Sequence, residues 1–355
     1  MLAVVFSKPE VYSIGQVAQP EVRPGEVLVK VKSTTICGTD LKIFHGTVPH
    51  VAYPHIPGHE FSGEIAALGD GVFDLAVGDK VGVEVHAGCG RCPRCAEGLY
   101  NLCLNYGAAD KGHAHIGFTV PGGLAEYCAV PARVANRLPE GLSFDQGAFT
   151  DSLGIVLWAF QRAGGVNPGD RVVIIGPGAL GLLAVQAARA FGAAGVIAVG
   201  TPQDANRLQA AAELGADFIL QSDASDQSIE TLRDLCGGQG ADLVIEFAGT
   251  SNAAQLALKI ARRGGRVVLA GATSPGQDLQ IDLATIVRGH LDVYGSVANP
   301  KNISHRANSL IERGDIKIEP LISHHMPLSE FDRAWEIFTG RAEDSIRIMM
   351  HPEGV

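Results

Sequence analysis

The chain has 355 residues, of which 46% are hydrophobic and 19% charged, and its formal net charge at pH 7 is −10. This length predicts two domains, or one large one, with a core that needs no disulfide support. The apolar content excludes disordered, collagen-like and coiled-coil classes. An acidic charge without a long Lys/Arg run argues against binding to nucleic acids or anionic membranes.

The N-terminal residues and the cysteines indicate the compartment in which we expect the protein. Residues 1–6 are apolar but lack a basic flank, and no uncharged apolar stretch reaches the roughly 18 residues that span a bilayer. We therefore expect neither a signal peptide nor a membrane span, and we expect a cytoplasmic protein. In that compartment the seven cysteines point to metal binding or catalysis before disulfides.

The N-terminal part of the chain has the pattern of short strands. Alternating and β-branched residues predict strands at 1–6, 27–32 and 61–66, and a turn leads into another strand at 78–83. Proline and glycine interrupt the pattern repeatedly up to about residue 150. This pattern is typical of an all-β unit with irregular loops.

From residue 155 onward, short apolar strands alternate with helical patterns. The strands are predicted at 171–175, 195–200, 217–220, 241–246 and 266–270, with helices at 180–191 and 205–214. This alternation predicts a doubly wound parallel sheet, and hence an α/β fold class. After residue 293 the pattern is mixed, with helices expected at 302–313 and 329–339 and a closing strand at 345–350.

Four cysteines in one short segment give the sharpest chemical signal: Cys89, Cys92, Cys95 and Cys103. Spacings of three, three and eight residues suit a tetrahedral Zn²⁺ with four thiolates, and such a closed site is structural. Two disulfides, free thiols or an iron–sulfur cluster are the alternatives. The compartment argues against disulfides, and the lack of a second cluster motif favours zinc over iron and sulfur.

A second set of candidate metal ligands is dispersed along the chain: Cys37, His59, Glu60 and Asp151. Three protein ligands with an exchangeable fourth position make an open, catalytic zinc site. Spacing alone is weak, because many proteins have a cysteine and a histidine about 20 residues apart. A buried structural cysteine and a surface His-Glu pair are the alternative.

A glycine motif follows the first predicted parallel strand directly and opens a helix: Gly176, Pro177, Gly178, Ala179, Leu180 and Gly181. Glycines here permit a tight turn and a close approach to a pyrophosphate, which the N-terminus of the helix attracts. The motif therefore predicts a dinucleotide site, with Ala248 as a further cofactor-binding candidate. A glycine-rich turn that binds nothing is the alternative.

The end of the next predicted strand bears on the choice of cofactor. An acid that binds the 2′-hydroxyl of NAD often stands there, but the sequence has Gly200, and Asp204 comes later. Thr201 is able to donate to a 2′-phosphate, and Arg207 lies one or two turns into the following helix. These residues favour NADP over NAD.

Taken in their order along the chain, these motifs resemble those of the zinc-dependent medium-chain alcohol dehydrogenase family. The resemblance covers essentially the whole chain. The resemblance implies a chaperonin-like β-barrel catalytic domain (1–154 and 294–355) and an inserted Rossmann domain (155–293), with the active site in the cleft between them. It also implies catalytic zinc on Cys37, His59 and either Glu60 or Asp151. Thr39 matches the hydroxyl that bonds the substrate oxygen.

Within the family, the chain resembles the sorbitol, butanediol and threonine dehydrogenases through Gly38-Thr39-Asp40 and the segment at 320–324. Residues that polyol enzymes often carry near 295–298 are missing, and His86 resembles a histidine of threonine dehydrogenases. Lys42 replaces a histidine of the usual proton relay, for which His45 is a candidate substitute. The branch implies a homo-oligomer, a tetramer or a dimer, and the edge strand near 291–295 is a candidate for pairing between subunits.

The activity this resemblance implies is hydride transfer between a secondary alcohol, polyol or amino alcohol and NAD(P). Zinc is the Lewis acid, and Thr39 accepts the proton of the alcohol. L-Threonine 3-dehydrogenase activity is one alternative. A zinc-free quinone or enoyl reductase and a non-catalytic relative are others, and the ligand residues argue against both.

Overall fold

Short strands make up most of the N-terminal part of the computed structural model, which describes residues 1–272 and 278–354. Residues 273–277 and 355, inside the predicted ranges 155–293 and 294–355, lie outside the described residues. The strands are β1 (Leu2–Lys8), β2 (Val11–Gln16), β3 (Glu26–Ile36), β4 (Phe61–Leu68), β5 (Lys80–Val83), β6 (His86–Ala87), β7 (Ala114–His115), β8 (Tyr127–Pro131) and β9 (Ala135–Arg137). The helices of this part are α1 (Gly38–Phe44), α2 (Pro93–Ala96), α3 (Phe144–Ala148) and α4 (Thr150–Arg162).

Strands and helices then alternate. The strands are β10 (Arg171–Ile175), β11 (Gly195–Gly200), β12 (Phe218–Gln221), β13 (Ala241–Glu246), β14 (Ala261–Leu269) and β15 (Asp292–Gly295). The helices are α5 (Ala179–Ala190), α6 (Ala205–Glu213), α7 (Asp226–Leu235), α8 (Ser251–Ile260) and α9 (Leu283–Gly289). The chain continues with α10 (Ser304–Glu312), β16 (Ile322–Pro327), α11 (Phe331–Gly340) and β17 (Arg347–His351).

The chain forms two compact units. Unit 1 contains Met1–Gly154, Asn299–Gly314 and Ile318–Val355, and unit 2 contains Ile155–Ala298 and Asp315–Lys317. Among the described residues, no helix has both the length and the apolarity that crossing a bilayer requires.

Unit 1 is built on a sheet in which the order is β16-β17-β3-β4-β5-β9, with β8 also paired to β3. Strand β3 extends beyond the predicted 27–32 because its C-terminal residues pair with β17, as in Ile36 with Ile348. One buried cluster includes Val29, Phe61 and Val81. A second cluster includes Phe6, Phe331 and Trp335. The site residues of unit 1 lie on loops that leave this sheet.

Unit 2 contains the predicted parallel sheet, with the strand order β12-β11-β10-β13-β14-β15. Strand β10 pairs in parallel with β11 on one side and with β13 on the other. This order is that of a Rossmann fold, in which the dinucleotide binds where the strand order reverses, next to the first strand. The prediction of a doubly wound sheet is confirmed.

Candidate metal and cofactor sites

Asp40 joins the two loops that carry the dispersed ligand candidates. Cys37 follows β3 and lies at the N-terminus of α1, and Asp40 stands in the first turn of that helix. The Asp40 carboxylate accepts the backbone N–H of Cys37 at 2.8 Å and that of Gly58 at 3.2 Å. It also lies 3.3 Å from Nδ1 of His59. A proton on Nδ1 facing Asp40 leaves the Nε2 lone pair for a metal.

Glu60 is buried and held by three side chains from distant parts of the chain. Its Oε1 accepts a hydrogen bond from Arg347 at 2.8 Å and another from Ser152, and its Oε2 accepts one from Thr35. Arg347 also donates to the Ile36 carbonyl at 3.2 Å. A buried carboxylate without such partners is costly, so these contacts fix its position.

The structure brings Cys37, His59 and Glu60 together. One ligand atom from each lies within 4.8 Å of the other two, and both His59 and Glu60 are buried. Sulfur, imidazole nitrogen and carboxylate oxygen are all Zn²⁺ ligands, and three of them leave a fourth position open. The residues present therefore fit the zinc that the sequence predicts.

The charges in this cluster favour a thiolate. Burial and the Glu60 carboxylate raise the pKa of the Cys37 thiol, but Arg347 and His59 lower it by more, so the pKa lies below its usual value. Burial lowers the pKa of His59, whereas Asp40 and Cys37 raise it, and the net pKa lies well above its usual value. A metal ion in this cluster takes the place of the His59 proton as the partner of the thiolate.

Asp151 lies elsewhere. In the part of the chain that the structure describes, it belongs to none of the groups whose ligand atoms converge. Its Oδ1 instead accepts hydrogen bonds from the backbone of Val85 at 3.0 Å and from Asn299 at 2.9 Å. Burial raises the pKa of Asp151 to about 7. Of the two carboxylates that the resemblance offered, the geometry favours Glu60.

The two proton-relay candidates lie on or next to α1. The Oγ1 of Thr39 is 4.0 Å from the sulfur of Cys37, and its side chain is half-buried. His45 follows the last residue of α1, is exposed, and has its Nδ1 3.5 Å from Glu10. The structure therefore places Thr39 beside a ligand candidate and His45 at the surface.

The four cysteines of the second predicted site converge around one point, and each offers a sulfur within 4.8 Å of the others. The sulfurs of Cys89 and Cys95 are 3.9 Å apart, close to the roughly 3.8 Å between thiolates on a tetrahedral zinc ion. Backbone N–H groups donate to the sulfurs of Cys92 and Cys103. None of the four is in a disulfide, and they fit a structural zinc ion.

Sequence analysis missed a column of aromatic and imidazole rings that leads away from His59. Phe118 packs against His59 with 5.0 Å between ring centroids and stacks on His115, which in turn stacks on His86. Burial, with help from neighbouring histidines, lowers the pKa of His86 to about 3, so the ring is neutral. Nδ1 of His86 and Nε2 of His113 are buried without a hydrogen-bond partner. Nothing in the local spacing of these histidines signals the column.

The glycine motif has the shape that a pyrophosphate needs. Gly176 has a φ of 93°, and a Cβ there would lie 2.7 Å from the backbone nitrogen of Ala248. A Cβ on Gly181 would lie 2.1 Å from the Gly176 carbonyl oxygen, whereas a Cβ on Gly178 would meet nothing within 4 Å. Gly178 precedes α5, and no side chain caps that end of the helix. The open space and the uncapped N–H groups fit a dinucleotide.

At the end of β11 the structure adds a carboxylate that the sequence does not place there. A 3₁₀ turn at Pro202–Asp204 brings Asp204 back to Thr201. Its Oδ2 accepts hydrogen bonds from the Thr201 N–H at 2.9 Å and from the Thr201 hydroxyl at 2.7 Å. Thr201, expected to donate to a 2′-phosphate, thus donates to Asp204. Arg207 lies in α6, one turn further on.

These features are typical of one class of protein, the dehydrogenases that combine an open zinc site, a structural zinc site and a Rossmann dinucleotide site. Two family models match the chain, the alcohol dehydrogenase GroES-like domain over residues 23–140 and the zinc-binding dehydrogenase over residues 179–313. A sorbitol dehydrogenase from Halalkalibacterium halodurans is 33% identical over 337 residues, covering 94% of each chain.

Two further comparisons agree. An L-threonine 3-dehydrogenase from Symbiobacterium thermophilum is 35% identical over 334 residues, covering 92% of this chain and 90% of the other. A crystal structure from Sinorhizobium meliloti, described as a zinc-binding dehydrogenase bound to NADP, has a TM-score of 0.89 at 33% identity and covers 99% of both chains. The chain belongs to the zinc-type medium-chain alcohol dehydrogenase family. It is a zinc-dependent, NAD(P)-linked dehydrogenase of the alcohol and polyol type.

Proposed function

We propose that this dehydrogenase oxidises a secondary hydroxyl of a polyol or amino alcohol, and reduces the matching carbonyl, at Cys37, His59 and Glu60. The observation that carries the proposal is the convergence of these three ligand atoms within 4.8 Å in a largely buried pocket. An open three-ligand site leaves a position for the substrate oxygen. The histidine column beside it supports a substrate with more than one polar group.

Each residue has a task in this reaction. When bound, zinc supplies the Lewis acid that lowers the pKa of the substrate hydroxyl. Asp40 holds both ligand loops at the required spacing through the N–H groups of Cys37 and Gly58. Thr39, beside the Cys37 sulfur, would take the proton of the substrate hydroxyl while it releases its own hydroxyl proton toward solvent. We assign His45, exposed after the last residue of α1, as the group that hands this proton to water. A bound nicotinamide would supply the hydride acceptor.

The remaining cofactor and metal assignments follow the same geometry. The loop from Gly176 to Gly181 binds the pyrophosphate of NADP or NAD, with Ala248 beside it and Gly200, Thr201 and Arg207 near the adenosine ribose. The four cysteines hold a structural zinc ion. Asp151 supports the fold of the pocket through Val85 and Asn299 rather than ligating zinc.

The substrate follows from unpaired polar atoms. His86 and His113 each have a buried ring nitrogen without a partner, and such atoms cost free energy until a ligand pairs them. We propose that a second hydroxyl or an amino group of the substrate is that partner for His86, because His86 belongs to the ring column that starts at His59. A simple alcohol offers no such group. A panel of simple secondary alcohols, sorbitol, 2,3-butanediol and threonine, each with NAD and NADP, tests this. A preference for simple secondary alcohols would contradict the polar pocket.

The assignment of the zinc site is tested by removing its ligands. Cys37→Ser and His59→Ala are expected to lower the zinc content by one ion per chain and kcat by about 10³-fold or more, while NADP binding to unit 2 survives. Cys128→Ala is the control, because Cys128 is buried in the same unit and lies outside both groups. Wild-type turnover in a variant that lacks this zinc would refute the assignment.

We also propose that the protein is a cytoplasmic homo-oligomer, a dimer or tetramer. Strand β15 is the last strand of the parallel sheet of unit 2. Exposed apolar side chains lie on it and on the preceding α9, namely Val293, Leu283 and Val287. An apolar sheet edge favours pairing with a second copy. Four cysteines that fit a zinc ion rather than disulfides suit a reducing compartment, which localisation of a fluorescent fusion tests.

A further inference from the structure

A third convergent group lies in unit 1, and the dehydrogenase reaction does not use it. It consists of Asp145 on α3, His325 on β16 and His351 on β17. One ligand atom from each lies within 4.8 Å of the others. Nδ1 of His325 is 3.1 Å from Nε2 of His351 and 3.5 Å from Oδ2 of Asp145. Nε2 of His351 is 3.9 Å from Oδ1 of Asp145.

These separations match those around a metal ion. Two ligand atoms that each lie 2.0–2.2 Å from a four- or six-coordinate ion are about 2.9–3.6 Å apart. The two distances at Nδ1 of His325, to His351 and to Oδ2 of Asp145, fall in this range. The distance from His351 to the other oxygen, Oδ1, exceeds it by a few tenths of an ångström. The contact of two imidazole nitrogens is otherwise unfavourable unless one of them carries the only proton between them.

One surrounding contact orients the lone pair of His351 toward the centre. Nδ1 of His351 lies 3.2 Å from the Lys32 carbonyl, and since a carbonyl only accepts, Nδ1 carries the proton. In the neutral ring the lone pair is then on Nε2, which faces His325 and Asp145. A backbone carbonyl that fixes the tautomer in this way is the usual partner of a metal-binding histidine.

The carboxylate is oriented as well. The buried Ser33 hydroxyl donates to Oδ1 of Asp145 at 2.5 Å. The neighbouring cations do not oppose a metal ion strongly, because Lys30 and Lys32 both pair with Glu353. His325 is 43% exposed at its side chain, so an ion has access from solvent.

We propose that Asp145, His325 and His351 form a third metal site, for a divalent transition metal of the zinc type. Two imidazoles and one carboxylate suit Zn²⁺, Ni²⁺ or Cu²⁺ rather than Mg²⁺ or Ca²⁺. Water fills the remaining positions. The ion links α3 to the two strands β16 and β17, and therefore stabilises the attachment of the last strand of unit 1. The site is separate from the catalytic and four-cysteine groups, with which it shares no residue.

Zinc uptake by the purified holoenzyme tests the proposal. After dialysis against zinc-buffered solution, His325→Ala and His351→Gln are expected to hold one zinc ion per chain fewer than the wild type. Comparison with the wild type makes this difference independent of how many ions the other sites hold. His324→Ala is the control, because His324 is the neighbouring imidazole and contacts Ser323 and Glu343 instead. It is expected to bind as much zinc as the wild type.

Thermal unfolding gives a second readout. Added Zn²⁺ is expected to raise the unfolding midpoint of the wild type and of His324→Ala by roughly 2–4 °C, and to leave that of His325→Ala unchanged. Unfolding midpoints measured without added zinc show that the variants are folded. Equal zinc content in wild type and His325→Ala, or loss of one ion in His324→Ala, would overturn the proposal. In that case Asp145 and the two histidines form an ordinary cluster of polar contacts without a metal ion.

Discussion

Asp40 is the residue on which the spacing of the proposed zinc ligands depends most. Its carboxylate receives N–H groups from both ligand loops and faces His59. An amide keeps only one acceptor oxygen, so Asp40→Asn leaves one of these groups without its partner. We expect zinc affinity at Cys37 and His59 to fall about 10–100-fold, measured as faster zinc release to a chelator.

The control for this prediction is Asp79→Asn. Asp79 also accepts a backbone N–H, from Ala76 at 2.8 Å, but in a turn away from the ligands. Zinc release from Asp79→Asn should match that of the wild type. Equal release rates in Asp40→Asn and the wild type would show that the ligand loops hold their spacing without this carboxylate.

We expect the choice between NADP and NAD to depend on Asp204 rather than on residue 200. Placing an acid at Gly200 is the test that the sequence suggests, but a Cβ there would lie 2.8 Å from Pro177 and 3.0 Å from Asp204. Such a variant would displace the glycine loop and weaken the binding of both NADP and NAD. Asp204→Asn removes the negative charge at the strand end without added bulk. We expect it to raise the NADP to NAD ratio of kcat/KM by about 10-fold.

A charge change elsewhere in unit 2 serves as the comparison. Asp226→Asn, in the first turn of α7, changes the net charge equally and should leave the cofactor ratio as it is. If Asp204→Asn also leaves the ratio unchanged, the end of β11 does not contact the ribose substituent that distinguishes the two cofactors.

Part of this site could be predicted from single residues and part could not. Cys37, His59 and Glu60 stand beside glycines in short motifs, and the structure brings their side chains together. The partner of Glu60 is Arg347, which is 287 residues further along the chain, and no local pattern links the two. The hydrogen bonds from Thr201 to Asp204 depend on the 3₁₀ turn at Pro202–Asp204, which the sequence pattern did not predict.

Among the elements, the segment around the four cysteines is the one most dependent on metal. Its small buried cluster consists of three of the cysteines and Tyr100, with Cys89 packed against it. With so little apolar area to bury, a zinc ion on the four cysteines would supply most of the folding free energy of this segment. One of its contacts with a distant part of the chain is with Lys301, whose Nζ lies 5.5 Å from the Tyr100 ring centroid.

We therefore expect Cys95→Ser to unfold this segment locally while zinc at Cys37 and cofactor binding remain. The unfolding midpoint should fall by several degrees, and limited proteolysis should cut between residues 89 and 103. Cys236→Ser is the control, because Cys236 is a buried cysteine of unit 2. Full thermal stability of Cys95→Ser with one zinc ion per chain fewer than the wild type would contradict the structural role.

The ends of strands and helices could be predicted where the local sequence sets them, but not where pairing with a distant residue sets them. The strands β10, β11 and β13 match the predicted ranges because a strand buried on both faces is a continuous apolar run. Strand β14 begins at Ala261, before the predicted residue 266, because Ala261 pairs with Ala241 ahead of a shift in register. The helix predicted at 329–339 begins with a 3₁₀ turn at Leu328–Glu330 and continues as α11.

At the scale of the whole molecule, the proposed homo-oligomer depends on the edge of the parallel sheet of unit 2. Val287 on α9 is 74% exposed, and Val293 lies on the edge strand itself. A lysine on such an edge opposes pairing with a second sheet. Val293→Lys is expected to lower the molar mass measured by light scattering by half or more. Val77→Lys, at an exposed position of unit 1, should leave it unchanged, and an unchanged mass in both would exclude this edge.

The pairing of β3 with β17 has a consequence for synthesis on the ribosome. Arg347 and Ile36 are 311 residues apart, and at about 5–20 residues per second roughly 15–60 s separate their translation. Through that interval β3 lacks one of its neighbours, whereas all six strands of the parallel sheet lie between Arg171 and Gly295. The nascent chain therefore completes the sheet of unit 2 before that of unit 1. Until β17 is synthesised, the sheet of unit 1 has an unpaired edge, which is the kind of surface that chaperones cover.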